Sequence, residues 1–176
     1  MAKRFFGMTN QNLDDRNRFP VPSKFRMGEL KDADCIYMLA VLEKHPHIDF
    51  FYDTVALDSE IEKRKAALSP NTPGELIDFM FNGCLDLLTL DKQGRTSAIN
   101  SRYLKDVALD KETVVIGQGD YFSVYGGRTY ELMLRQSVSI NVEHYDAQIP
   151  AVQKDYEKLA NGGEGAAQAA SEDDHA

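Results

Sequence analysis

A chain of 176 residues with 43% hydrophobic side chains can bury a core as one ordinary domain or two small ones. No apolar run approaches the roughly 20 residues that cross a bilayer, and Met1 to Gly7 carries basic residues without a signal-like apolar stretch, so a cytoplasmic location is expected. The net charge of −8 excludes a uniformly basic surface, but its spread is uneven: Glu143 to Ala176 holds eight acids against two bases, while residues 1–31 hold seven bases against three acids.

Phe5 to Leu13 reads as one or two strand segments leading into Leu13-Asp14-Asp15-Arg16-Asn17-Arg18, a stretch of the form Leu-Asp-x-x-x-Arg. Asn17 tolerates positive φ, the Asp14 carboxylate can accept backbone N–H bonds, and Arg18 starts the outgoing strand, so a tight turn between strands is predicted. Pro20 and Pro22 cannot donate to a ladder, which makes Arg18 to Pro22 an edge strand or an extended connection. Ser23 suits the N-cap of a short helix with Phe25, Met27 and Leu30 towards the core. Cys35 to Leu42 and Ile48 to Tyr52 have strand length and are joined by the loop 43–47. In that loop His45 and His47 have no acidic or cysteine partner at metal-ligand spacing, and no metal is expected. Asp53-Thr54 opens a helix to about Leu68, with Val55, Leu57, Ile61 and Leu68 as its apolar positions. Ser69 to Gly74 breaks it. Thr72 then caps a second helix with Pro73 in the first turn, strongly apolar through Leu76, Ile77, Phe79, Met80 and Phe81.

From Cys84 the order repeats. A strand runs to Leu90, and Leu90-Asp91-Lys92-Gln93-Gly94-Arg95 restates the turn motif with Gly94 in the flexible place, 77 residues after the first. Thr96 to Ile99 returns, and Asn100 caps a short helix. Thr113 to Ile116 is a β-branched strand, Gly117 to Asp120 turns, Tyr121 to Tyr125 is the last strand, and Arg128 to Gln136 looks helical. A repeated turn in a repeated context implies a repeated supersecondary unit. The expected organisation is α+β: a first unit over 4–68, a linker helix over 69–83, a second unit over 84–140, a helical extension over 141–160 and a disordered acidic tail over 161–176.

Cys35 and Cys84 both read as reduced core residues. Gly117-Gln118-Gly119 lacks the lysine of a phosphate loop and runs from strand to strand, not into a helix. No nucleophile and base stand at catalytic spacing, so neither an enzyme nor a cofactor is expected. The basic side chains at and near the turns, Arg16, Arg18, Lys24, Arg26, Lys92 and Arg95, suit phosphate pairing and contact with guanine edges. The bland alternative is a solvated edge charged against aggregation.

Three features carry a resemblance to a known family. These are the two Leu-Asp-x-x-x-Arg turns, the stretch Pro22 through Arg26, and Leu109-Asp110-Lys111-Glu112-Thr113-Val114-Val115-Ile116-Gly117-Gln118 followed by an aromatic strand. Over about residues 4–140 the chain resembles the MraZ family of bacterial transcriptional regulators. The resemblance implies tandem swapped-hairpin AbrB-like (SpoVT–AbrB-type) β-barrel units with short helices, related by a pseudo-two-fold. It also implies a nucleoid-associated regulator that forms a ring homo-oligomer, commonly an octamer. That ring would bind double-stranded DNA at promoter repeats of the division and cell-wall gene cluster, which its own gene heads. Arg18 and Arg95 carry over as DNA contacts, and Asp14 and Asp91 as motif acids that shape the turns.

The chain departs from the family pattern in several places. Asn17 replaces the usual glycine, Ile99-Asn100 stands where a proline is frequent, the linker helix is acidic instead of Arg-rich, and the Glu43–His47 loop is long. The excess of +4 in residues 1–31 favours the first half for DNA. The rival reading is a ring-forming protein-interaction module, antitoxin-like or a scaffold, without sequence-specific DNA binding.

Overall fold

The computed structural model describes residues 5–26 and 31–137. Its elements are β1 (Met8–Asn12), β2 (Arg18–Pro20), a 3-10 turn (Ser23–Phe25), β3 (Cys35–Val41), β4 (His47–Phe51), α1 (Thr54–Ala67), α2 (Gly74–Asp78), a π turn (Phe79–Gly83), β5 (Leu85–Thr89), β6 (Arg95–Ala98), α3 (Ser101–Asp106), β7 (Glu112–Gly117) and β8 (Phe122–Gly126). Residues through Leu132 form one compact unit, and Met133–Ala176 a second, of which 133–137 is described as helical. The calls on Met27 and Leu30, on the 141–160 extension and on the 161–176 tail lie outside the described residues.

The architecture is α+β, with an antiparallel six-stranded sheet in the order β1-β7-β8-β4-β3-β5 and a separate two-stranded ribbon, β2-β6. β1 and β5 lie 77 positions apart, the separation that also joins Phe19 to Thr96 through a hydrogen bond. Exchanging first-half strands for their second-half counterparts reverses the sheet order onto itself. β1 of the first half lies on β7 of the second, and β5 of the second lies on β3 of the first. The Leu13 amide donates to the Lys111 carbonyl at 2.9 Å, and the Leu90 amide to that of Asp34 at 2.8 Å, again positions 77 apart.

The expected tight turn between strands is present, and the strands it joins, β1 and β2, pair with β7 and β6. The first motif turn closes locally, but β1 then continues along β7, from Asn12 opposite Glu112 to Met8 opposite Ile116. β2 has three residues and contains Pro20, so it offers few donors, whereas β7 offers a full β-branched strand. Gly117 makes the approach possible: a Cβ there would collide with the Phe5 carbonyl group. The Gly117 amide in turn donates to the Gly7 carbonyl at 2.9 Å.

The core lies where the halves meet. Phe19 on β2, Phe50 on β4 and Phe122 on β8 are fully buried, and Phe5 and Phe25 nearly so. Asp53 caps α1 by accepting the Ala56 amide at 2.8 Å, and Asn100 caps α3 by accepting that of Arg102 at 2.9 Å. Other expectations are corrected. Val55 is 77% exposed, leaving Leu57 as the buried residue of α1. Pro22 and not Ser23 takes the N-cap of the 3-10 turn, without a side-chain bond. Pro73 and not Thr72 takes the N-cap of α2, without a side-chain bond, and the Thr72 amide turns back to the Ser69 carbonyl. α2 is short and passes into the π turn, so of its apolar residues Phe81 is buried while Leu76 and Phe79 are exposed. Cys35 is half-buried at the start of β3, and burial pushes the thiol of Cys84 up. No helix among the described residues is long and apolar enough to cross a membrane.

Candidate functional site

The two motif turns have the same internal geometry. Asp14 Oδ1 accepts the amides of Arg16 and Arg18, each at 2.9 Å, and Oδ2 accepts Arg18 Nε at 2.7 Å. Asp91 Oδ1 accepts the amides of Gln93 and Arg95, each at 2.9 Å, and Oδ2 accepts Arg95 Nε at 2.7 Å. The Asn17 amide closes on the Asp14 carbonyl at 2.9 Å, and the Gly94 amide on the Asp91 carbonyl at 2.8 Å. Asn17 and Gly94 are left-handed, with φ of 58° and 74°.

Each carboxylate therefore does two things. It fixes the turn through backbone N–H groups, and it orients one arginine through Nε. The two Nη groups of Arg18 and of Arg95 have no partner among the described residues. A guanidinium held by one edge and open on the other two nitrogens is pre-organised for an external phosphate or base edge.

The backbone N–H of Arg18 does most to hold the Asp14 carboxyl below the ordinary carboxylate value, and that of Arg95 does the same for Asp91. A depressed carboxylate stabilises the fold above its unfolded value, and that contribution is lost as pH falls through the folded value. We expect NMR titrations of both carboxyl groups to have midpoints below 3.8, with the Arg18 and Arg95 amide signals moving with them. Midpoints at or above 3.8 would show that the caps do not form in solution.

The turns flank the β2-β6 ribbon at opposite ends. Arg18 stands opposite Ala98, and Arg95 opposite Pro20. Inside the ribbon the Phe19 amide donates to the buried Thr96 Oγ1 at 2.9 Å. Arg16 and Lys92 are exposed within their turns. Lys24 donates to the Met8 carbonyl at 2.9 Å and lies 4.9 Å from the Phe25 ring centroid, away from both turns in its contacts. Arg26 lies on the second turn, against Gly94, with Nε on the Val21 carbonyl at 3.1 Å. The basic cluster of the first 31 residues is therefore divided, part of it serving the second-half turn.

Sequence reasoning missed two participants. Lys111 pairs with Asp15 at 2.6 Å and so braces the first turn from the second half. Thr96 ties the ribbon together, and the signal for it was its position immediately after the motif arginine. His47, read only for metal-ligand partners in the sequence, faces Asp49 at 3.3 Å. Among the described residues no group of three or more His, Cys, Asp and Glu side chains is arranged to hold a metal.

The chain is thus an α+β protein whose antiparallel sheet takes strands from both halves and whose two Asp-anchored arginine turns leave cationic groups open. A family model described as "MraZ protein, putative antitoxin-like" matches residues 80–149. "Transcriptional regulator MraZ" of Corynebacterium urealyticum is 32% identical over 129 residues, spanning 72% of this chain and 84% of that protein. The protein of the same name from Ruegeria sp. is 28% identical over 138 residues, 74% of this chain and 82% of its own length. The one from Clostridium tetani is 27% identical over 163 residues, 89% of this chain and 94% of its own. The chain belongs to the MraZ family.

Proposed function

We propose that this chain is a DNA-binding transcriptional regulator that contacts promoter DNA through its two Asp-capped arginine turns. The observation that carries the reading is the pair of matched guanidinium groups, each anchored at Nε and open at both Nη atoms. Arg16, Lys92, Lys24 and Arg26 supply further positive charge, and Asp14 and Asp91 shape the turns. The names of the relatives support a role in transcription.

On this reading each half is a swapped-hairpin AbrB-like unit, one over 4–68 and one over 84–140, with 69–83 as the linker between them. The exchange of β1 and β5 between halves supports it. The protein acts in the cytoplasm at the nucleoid as a ring homo-oligomer, an octamer. It binds tandem repeats ahead of the division and cell-wall gene cluster, its own gene included. One short turn makes few contacts, and a ring that engages repeated sites gains affinity through effective concentration.

The test is binding of duplex DNA from upstream of the protein's own gene, with wild type beside Arg18→Ala and Arg95→Ala, at low and near-physiological salt. Each substitution is expected to weaken binding and to flatten the salt dependence by about one log unit per log unit of salt. A folded wild type that does not distinguish this DNA from random duplex sinks the reading. The words "antitoxin-like" in the family description favour a second one, a ring-forming protein-interaction module. It requires binding to a protein partner that changes little with salt.

A further inference from the structure

The two turns are not equivalent, and the difference lies in what packs on them. A Cβ at Gly94 would overlap Cδ, Nε and Nη1 of Arg26, so the arginine occupies the space a side chain would need. Its place is fixed by the ribbon. The Val21 amide donates to the Gly94 carbonyl at 3.0 Å, and the Val21 carbonyl accepts Arg26 Nε at 3.1 Å. The Nη groups of Arg26 have no hydrogen-bond partner among the described residues.

The counterpart of Arg26, 77 positions on, is Tyr103, whose hydroxyl donates instead to the Gly83 carbonyl at 3.1 Å. The left-handed position of the first turn carries the side chain of Asn17, while that of the second is a glycine with Arg26 packed where a Cβ would stand. Charge follows the same division. The first turn carries a second acid, Asp15, answered by Lys111, while the second has Lys92 at the corresponding place.

Resting on the DNA reading above, we propose that Arg26 crosses from the first half to complete a phosphate-binding clasp on the second turn with Lys92 and Arg95, making this turn the stronger of the two for the nucleic-acid backbone. Three cations and one acid stand there, and all three cations keep N–H groups available. The clasp exists only when both halves are folded together, so the weaker local charge of the second half in sequence understates its role.

The experiment measures binding of the same upstream duplex across a salt series for wild type, Arg26→Gln, Arg26→Lys, Arg18→Ala and Arg95→Ala, with thermal melting of each. Arg26→Gln is expected to weaken binding several-fold and to reduce the salt slope by about 0.9, the release expected for one phosphate. Arg26→Lys, which keeps the charge, retains most of the slope, and this a purely structural role for Arg26 does not predict. Arg95→Ala is expected to cost more affinity than Arg18→Ala. A wild-type slope in folded Arg26→Gln, or an equal loss of slope in Arg26→Lys, overturns the clasp while leaving the DNA reading intact. Failure of the wild type to bind any duplex overturns both.

Discussion

Phe122→Ala is expected to destabilise the protein by about 3–5 kcal/mol, the range for truncating a buried aromatic side chain. Phe122 is fully buried on β8, and its ring centroid lies 5.2 Å from Phe25, 5.3 Å from Phe50, 5.6 Å from Phe5 and 6.3 Å from Phe19. Those partners come from the segment before β1, from β2, from the 3-10 turn and from β4, four places held apart by backbone pairing. The site therefore cannot collapse around the lost ring by moving one side chain, and a cavity remains. Thermal unfolding should shift down by roughly 10–20 °C for a domain of this size. Phe122→Leu refills part of the volume and should lose less. A Phe122→Ala loss below about 1 kcal/mol in denaturant titration would show that this aromatic cluster is not the core that joins the halves.

That cluster also shows where sequence reading stops. Short-range signals were legible because their physics is local. The capping of α1 by Asp53 and of α3 by Asn100 needs only a side chain and a nearby amide, and the β-branched run of β7 needs only its own composition. The left-handed positions at Asn17 and Gly94 were likewise readable from residue type. Partner choice was not. That β1 lies on β7 depends on Gly117 admitting the Phe5 backbone, a contact across more than a hundred residues. The position of Arg26 on Gly94 depends on the β2-β6 register, which neither segment encodes by itself. Val55 is one of the apolar positions of α1, yet Leu57 is the buried residue of that helix and Val55 is exposed. One missed feature did leave a mark: an acid, Asp49, stands inside the apolar run Ile48 to Tyr52, and an acid there must find partners or disrupt the strand.

Removing the Asp49 carboxylate should cost about 3–5 kcal/mol, because it strands a largely buried cation, Arg64. Asp49 is fully buried on β4. Its Oδ1 accepts Ser123 Oγ at 2.5 Å and faces His47 Nε2 at 3.3 Å, and its Oδ2 accepts Arg64 Nη2 at 2.6 Å. Arg64 also donates through Nε to Glu60 Oε1 at 2.9 Å, where the Tyr121 hydroxyl donates at 3.2 Å. With Leu57 as its buried residue, α1 is also tied to β4 through this ionic anchor. Asp49→Ala leaves Arg64 without its shortest partner, whereas the double change Asp49→Leu with Arg64→Met removes both charges and should cost less than Asp49→Ala alone. If the double variant is the less stable of the two, the pair is a net stabiliser rather than a mutual obligation.

The same carboxylate sets a pH dependence. Burial opposes protonation of His47, but the hydrogen bond and charge of Asp49 outweigh it, and the imidazole is held above its ordinary value of 6.5. A raised histidine contributes stability that is fully present below its unfolded value and is lost as pH rises through the folded one. Wild type should therefore lose stability from about pH 6 upward through the folded midpoint, with the unfolded reference near 6.5. Urea titrations at a series of pH values check this. His47→Gln should remove that slope while keeping the Arg64–Asp49 pair, and Asp49→Asn should remove it together with much of the stability. A slope of the same size in His47→Gln would assign the titration to another group and break the link between this strand acid and the histidine that precedes it.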